Sequence, residues 1–262
     1  MNTPVSEPDI ASRPRRSVIV TGAASGIGRA SALAFVAQGD RVLAADLDAA
    51  GVEETVREAT AAGGTALAAV GDLTDQRVVD SVVARAVAEF GGVDVVVNNA
   101  GIMDRMSAAH ETDDAEWDRV LRVDLTAPFL LTRAVLPHML AAGAGCLVFT
   151  GSEAGLRGGA AGAAYTAAKH GITGLVKNLA VMYRGRGIRA NVIAPGPTAT
   201  GIGVDSRPDA HGPAVLRSLI GANIGRVGSA DEQAAAIVWL ASDAASFVNG
   251  AVLPVDDGWS AV

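Results

Sequence analysis

The sequence predicts an α/β fold in which helices cover both faces of a parallel sheet. Short runs of β-branched and apolar residues alternate with longer amphipathic segments along all but the first few of the 262 residues, the pattern of repeated strand–helix–strand units. Several runs, such as Val93-Asp94-Val95-Val96-Val97, are apolar toward both faces, as strands enclosed between two helix layers must be. Half of the residues are hydrophobic, enough for one sizeable core, and no linker or shift of composition divides the chain.

Taken in order, strands are expected at Ser17–Thr21, Arg41–Ala45, Ala66–Val70, Val93–Val97, Gly145–Thr150, Ile188–Ile193 and Ala251–Val255. Helical periodicity falls near 26–38, 49–62, 75–89, 114–142, 164–184 and 230–241. The longest of these carries Pro128, where a helix must kink or break. Residues 1–16 are polar, with prolines at 4, 8 and 14, and read as a flexible tail whose Arg13, Arg15 and Arg16 are solvated. Residues 17–262 then form a single domain. Its one long irregular stretch, 196–226, is rich in proline and glycine, the composition of a functional loop, with room for a short helix near 213–223.

Composition excludes several classes of function. A formal charge of −7 argues against a nucleic-acid surface, which calls for clustered Lys and Arg. The apolar runs are of strand length, short of the roughly 20 residues of a membrane span. The single cysteine, Cys146, permits no internal disulfide and sits in an apolar strand, which reads as a buried thiol in a cytoplasmic protein. His110, His138, His170 and His211 lack the spacing of a metal site, and His170 is expected to face the surface or a subunit interface.

Right after the first strand comes Thr21-Gly22-Ala23-Ala24-Ser25-Gly26-Ile27-Gly28, which runs into a helix. Glycines allow the backbone to turn sharply and approach a pyrophosphate, and the helix N-terminus offers free N–H groups. Asp46 ends the second strand, 18 residues beyond Gly28. A carboxylate there accepts hydrogen bonds from a ribose diol and repels a 2′-phosphate. No Arg or Lys lies within the loop, and Leu47 follows Asp46, so the sequence favours NAD over NADP. Asp46 or Asp48 also suits the cap of the next helix. Asp72-Leu73 and Asn98-Asn99-Ala100-Gly101 follow the third and fourth strands, at the strand ends where open α/β sheets bind ligands.

Tyr165 and Lys169 are four apart on a helix and share a face, with Ser152 thirteen residues before Tyr165. Hydride transfer from an alcohol needs a group that takes the hydroxyl proton. A free tyrosine titrates near 10, and an adjacent ammonium favours its phenolate, while a serine hydroxyl holds the substrate oxygen. In isolation, such a pair is equally an ordinary feature of a helix surface.

The glycine loop, Asn98-Asn99-Ala100-Gly101, Ser152, Tyr165 with Lys169, Asn191 and Pro195-Gly196 stand together in order. In this the chain resembles the short-chain dehydrogenase/reductase family, from about Ser17 to the C-terminus. The resemblance implies a Rossmann-type, doubly wound, seven-stranded parallel sheet of order 3-2-1-4-5-6-7. It implies Tyr165 as general acid/base, Ser152 polarising the carbonyl, and Lys169 holding the nicotinamide ribose and lowering the Tyr165 pKa. The cofactor set it implies is Gly22, Ser25, Gly26, Ile27, Gly28, Asp46, Leu47, Asp72 and Leu73 at the adenosine and pyrophosphate end. Asn98, Ala100, Gly101, Tyr165, Lys169, Pro195, Gly196, Thr198 and Thr200 complete it. Family members are commonly homodimers or homotetramers built on the helix of the Tyr–Lys pair.

Three departures stand out. Val123-Asp124-Leu125 replaces the family's Val-Asn-Leu, so an aspartate takes the fourth catalytic position. Gly151 precedes Ser152 where a serine is usual, and Asp257 replaces a glycine in the Asp256-Asp257-Gly258 segment. Met103 through Met106, Glu153 through Ala164 (Glu153 and Arg157 included) and the 196–226 loop are expected to form the substrate pocket. The expected activity is that of an NAD-dependent dehydrogenase of secondary alcohols or the matching ketones, with a small-molecule substrate. An NADPH-dependent carbonyl or 3-oxoacyl-carrier-protein reductase is the alternative, followed by a non-catalytic nucleotide sensor.

Overall fold

The structure, a computed structural model, describes residues 15–261; the expected tail lies outside these residues except for Arg15 and Arg16. Seven strands form one sheet: β1 (Ser17–Thr21), β2 (Arg41–Asp46), β3 (Thr65–Val70), β4 (Val95–Asn98), β5 (Gly145–Thr150), β6 (Ile188–Pro195) and β7 (Val252–Val255). Their order is β3-β2-β1-β4-β5-β6-β7, and each pair is parallel. The helices are α1 (Gly26–Ala37), α2 (Ala49–Ala61), α3 (Gln76–Phe90), α4 (Asp114–Leu121), α5 (Ala127–Ala142), α6 (Ala163–Tyr183), α7 (His211–Asn223) and α8 (Ala230–Leu240). The fourth strand starts two residues later than its apolar run, because Asp94 is used to accept the Ser17 N–H at 2.7 Å.

Alternation along each strand divides the core in two. Ile19, Leu43, Val96, Leu147, Phe149 and Val192 face α3, α5 and α6, while Val18, Val20, Val42, Val95, Val97 and Val148 face α1, α2 and α8. Chain direction across the sheet reverses between β1 and β4, so a crevice opens at their C-terminal ends. Asp48, Asp75 and Asp113 cap α2, α3 and α4 with their carboxylates, and Ser229 with Glu232 closes a capping box on α8.

The segment read as one helix over 114–142 breaks, but ahead of Pro128. Arg122–Thr126 is a π-helical turn in which the Ala127 N–H donates to the Arg122 carbonyl. Pro128 has no N–H to return to the carbonyl four residues back, so the hydrogen-bond ladder loosens there. By length and mean hydropathy the continuous 114–142 segment matches a membrane span. Its Leu130, Leu131, Val135 and Met139 are buried against the sheet, however, which makes it a core helix.

Arg16 departs from the solvated role expected of it. Its guanidinium grips Asp40 through two hydrogen bonds of 3.2 and 2.6 Å, stacks 5.6 Å from the centre of the Phe35 ring, and donates to the Ala241 carbonyl. The Asp40 carboxylate is almost wholly buried, and removing one partner from such a pair leaves the other charge uncompensated. Asp40→Ala is therefore expected to lower stability by about 3 kcal/mol in urea titrations, with Asp40→Asn falling between it and the parent.

Candidate active site

The crevice is a cavity of about 1290 Å³ that runs along the C-terminal ends of the strands. The half expected to take a nucleotide is lined by Thr21, Gly22, Ser25, Gly26 and Ile27 after β1, Asp46 and Leu47 after β2, Asp72 and Leu73 after β3, and Asn98, Ala100 and Gly101 after β4. Gly22 and Gly26 have φ of +66° and +52°, the left-handed region that favours glycine. A Cβ on Gly22 would lie 2.9 Å from the Ala100 Cα, and one on Gly28 would lie 2.0 Å from the Gly22 carbonyl oxygen. Gly28 is absent from the cavity wall; its work is to let α1 pack against the turn. Thr21 ties the loops together by accepting the Asn99 and Ala100 N–H groups on its hydroxyl.

Two observations show that this half suits a nucleotide. The first turn of α1 has neither a side-chain cap nor an acidic residue, so its N–H groups are open toward the cavity. The buried Asn98 Oδ1 has no hydrogen-bond partner among the described residues, while its amide approaches the Thr132 hydroxyl at 3.4 Å. Asp46 does not cap α2, a task that falls to Asp48. One Asp46 oxygen instead accepts the Ala24 N–H at 2.8 Å and the other that of Asp48 at 2.9 Å. Its carboxylate is thereby fixed on the cavity wall, beside a Leu47 that is 71% exposed.

In the reacting half, Ser152 follows β5 and accepts the Ala154 N–H at 3.1 Å, and its hydroxyl acts on the Tyr165 phenol in the direction that favours phenolate. The Lys169 ammonium donates to the Thr150 carbonyl at 3.1 Å, lies 5.1 Å from the centre of the Tyr165 ring, and faces an Asp124 oxygen at 3.7 Å. The π-helical turn delivers Asp124 to this place, where its other oxygen accepts the Ile102 N–H at 2.8 Å. Gly101 passes between these groups: a Cβ there would lie 3.3 Å from the Asp124 Oδ1 and 3.4 Å from the Lys169 Nζ.

Burial pushes the Asp124 carboxyl up to about 6, against the pull of Lys169. Burial works against the Lys169 ammonium, but Tyr165 and Asp124 outweigh it and the lysine titrates above its usual range. The expected lowering of Tyr165 is not the net result. Burial raises the phenol above its ordinary value, Lys169 opposes this, and the negative charge of Asp124 adds to it. Desolvation and a nearby carboxylate both disfavour phenolate, and here they exceed the help of the ammonium.

The wall continues through Pro195, Gly196, Thr198 and Thr200 into Gly201–Asp205, and on to Ile220, Ile224 and Val227. Thr200 lies over the glycine loop, 3.0 Å from where a Gly26 Cβ would stand. Met103 and Met106 line the cavity as expected, but Ala160 alone represents 153–164. Glu153 and Arg157 are not on the wall. Glu153 is fully buried and paired with Arg157 at 2.6 Å, and the guanidinium stacks 5.0 Å from the centre of the Trp259 ring. A carboxylate in that core needs the arginine as its counter-charge, so the pair supports Trp259, which does line the cavity. His170 is exposed as expected, and Cys146 is buried.

Asp104 lines the cavity with the rest of Met103–Met106, as expected, but it has a second role that the sequence reading missed. It is buried and accepts the N–H groups of Met106, Gly162 and Tyr165 at 2.9, 3.2 and 3.0 Å, which makes it the cap of α6, the helix of Tyr165 and Lys169. Burial raises its pKa despite these bonds. A signal was present: α6 opens at Gly162-Ala163-Ala164 with no capping side chain of its own, so a carboxylate elsewhere in the chain had to supply one. Glu111 does the same for α7, accepting the His211 and Gly212 N–H groups.

A family model described as Enoyl-(Acyl carrier protein) reductase matches residues 22–260. The chain is 43% identical to cis-4-hydroxycyclohexanecarboxylate dehydrogenase of Sinomonas cyclohexanicum, over 94% of this chain and 97% of that one. It superposes on levodione reductase with a TM-score of 0.86 at 36% identity, covering 95% of this chain and all of the other. A structure from Beutenbergia cavernae described as an NAD(P)-dependent gluconate 5-dehydrogenase, with NADP at low occupancy, superposes with a TM-score of 0.83 at 40% identity, over 94% and 97% of the two chains. With this fold, this crevice and relatives matched over almost their whole length, the chain belongs to the short-chain dehydrogenase/reductase family, as an oxidoreductase that acts on CH–OH groups with a nicotinamide cofactor.

Proposed function

We propose that the protein is an NAD-preferring dehydrogenase of secondary alcohols, or a reductase of the matching ketones, in which Tyr165 exchanges the proton. The observation that carries this reading is the group of Ser152 with the buried Tyr165 and Lys169, which line the same cavity as the glycine loop, and the buried Asp124 behind them. The open N–H groups around Gly22, Ser25, Gly26 and Ile27 would hold a pyrophosphate. Asp46 and Leu47 would face the adenosine ribose, Asp72 and Leu73 the adenine, with Asn98, Ala100 and Gly101 beside them. Pro195, Gly196, Thr198 and Thr200 would hold the nicotinamide, which when bound supplies the hydride acceptor for oxidation and the donor for reduction.

In the oxidative direction the Ser152 hydroxyl holds the substrate oxygen, and the Tyr165 phenolate takes its proton. Lys169 favours the phenolate and offers its ammonium to the nicotinamide ribose, and Asp124 is the buried counter-charge to that ammonium. The Asp46 carboxylate supports the preference for NAD, because a 2′-phosphate beside it would meet like charge with no arginine or lysine in the glycine loop. Exposed Phe129 on α5 and Val181 and Met182 on α6 support assembly into a homodimer or homotetramer through those helices.

Three experiments test the reading. Quenching of the tryptophans, of which Trp259 lines the cavity, is expected to give tighter binding of NADH than of NADPH. Asp46→Ala should narrow that gap about tenfold or more; an NADPH preference in the parent would favour the carbonyl-reductase alternative. Tyr165→Phe should lower kcat/KM by about 10²–10⁴-fold while NADH affinity stays within about threefold; retained turnover would remove Tyr165 from the chemistry.

Asp124→Asn gives a signal in both rate and stability. The profile of log kcat/KM against pH should lose an inflection near 6, and an unchanged profile would take Asp124 out of the proton path. Because the folded-state pKa of Asp124 lies above its ordinary 3.8, its contribution to stability is fully present below that value and fades as pH rises through about 6. The variant is therefore expected to gain on the parent by about 2–3 kcal/mol between pH 4 and pH 7 in denaturant titrations.

A further inference from the structure

Beyond Tyr165 the cavity changes character. Its wall there is formed by Met103, Met106, Ile202, Val204, Ile220 and Ile224. Ile202 and Val204 are 47% and 44% exposed, and Ile224 is 38% exposed. Exposed aliphatic side chains are ordinary when scattered, but grouped along one groove they mark a ligand-binding surface, and these three line the same cavity as Ser152 and Tyr165. Ligand sites of this kind hold apolar skeletons, with a few polar groups fixing orientation.

Most cations near this end of the cavity are engaged among the described residues; Arg217, which shares a neighbouring wall with Met106, Val204 and Ile220, donates to the Pro208 carbonyl at 2.6 Å. The Arg105 guanidinium, which lines the cavity, lies 3.2 Å from Asp113 and 3.8 Å from Glu116. Lys169 faces Asp124 and Tyr165. Arg226 is paired with Glu232 at 2.6 Å and lies 3.9 Å from Asp257, and Arg157 is held behind Trp259 by Glu153. Arg119 lines the cavity from α4, four residues before Val123 and close to the Arg122 that reaches the Thr74 carbonyl, which puts it at the nucleotide end. What remains on the wall of the substrate end is a carboxylate, Asp205. Asp104 also lines the cavity, with both oxygens engaged by backbone N–H groups.

Resting on the oxidoreductase reading above, we infer that the substrate is a neutral, apolar secondary alcohol or ketone of ring size or larger, its skeleton packed between the two methionines and the aliphatic wall of the 202–224 segment. A carboxylate, sulfonate or phosphate would enter without a counter-charge and in sight of Asp205, and burying an unpaired charge is costly. A polyol would find the Ser152 and Tyr165 hydroxyls for its reacting oxygen; Asp104 and Arg105 on this wall are already engaged, which leaves Asp205 to meet its other hydroxyls.

The test compares kcat/KM, with NAD and with NADP, for 4-methylcyclohexanol, 2-decalol, 4-hydroxycyclohexanecarboxylate and threitol, and for the corresponding ketones in reverse. The two neutral ring alcohols are expected to exceed the carboxylate and the polyol by about 100-fold. Ile202→Arg, at an exposed position that tolerates a charge, should bring the carboxylate at least about tenfold closer to 4-methylcyclohexanol while leaving NADH affinity unchanged. Equal or better use of the carboxylate or of threitol by the parent would overturn the inference and leave the oxidoreductase reading in place. No turnover of any of these compounds, in either direction and with either cofactor, would overturn that reading and the inference with it.

Discussion

A single buried ammonium organises the site. Lys169 lies within the fold, where an unpaired charge could not persist, and each element around it supplies something it needs. The end of β5 supplies the Thr150 carbonyl. The turn after β4 narrows to Gly101 so that nothing intervenes between the ammonium and Asp124. The π-helical turn at Arg122–Thr126 brings Asp124 itself. Asp104 fixes the start of α6 by holding the N–H of Tyr165, so the phenol and the ammonium keep their relation to Ser152. The sheet order, which opens the crevice between β1 and β4, decides where this assembly meets a nucleotide.

That constraint explains why the aspartate at 124 matters more than its near-identity in shape with asparagine suggests. An asparagine would satisfy the Ile102 N–H equally well. A carboxylate adds a charge that stabilises the ammonium but opposes the phenolate, and so adds to the burial that already raises the phenol above its ordinary value. Each of the three groups thus acts on the titration of the other two. At the substrate end, Arg105 is paired with Asp113 and Glu116, which leaves the Asp205 carboxylate as the charge that a ligand would meet there.

Much of this was legible in the sequence, for local reasons. Strand alternation and helix periodicity located all seven strands, and the glycine loop, Asp46 and the Tyr165–Lys169 spacing needed only short-range geometry. What was not legible depends on pairing between distant segments. Arg16 read as part of a tail because its partners, Asp40, Phe35 and Ala241, are far along the chain. Glu153 and Arg157 read as pocket residues because they follow Ser152, yet a buried ion pair beneath Trp259 turns them away. The capping role of Asp104 was not legible because a cap borrowed from 58 residues upstream leaves no local motif. Pro128 marked the broken helix, but its missing N–H acts on the turn before it, which is where the π-helical segment and Asp124 are found.

The most direct test of this account is the titration of Asp124 itself, followed by the carboxyl 13C chemical shift in protein labelled at aspartate and assigned by comparison with Asp124→Asn. A midpoint near 6 is the expected result, carried by one resonance that is absent from the variant. A midpoint at the ordinary aspartate value would show that the carboxylate is solvated rather than buried against Lys169, and would contradict the account.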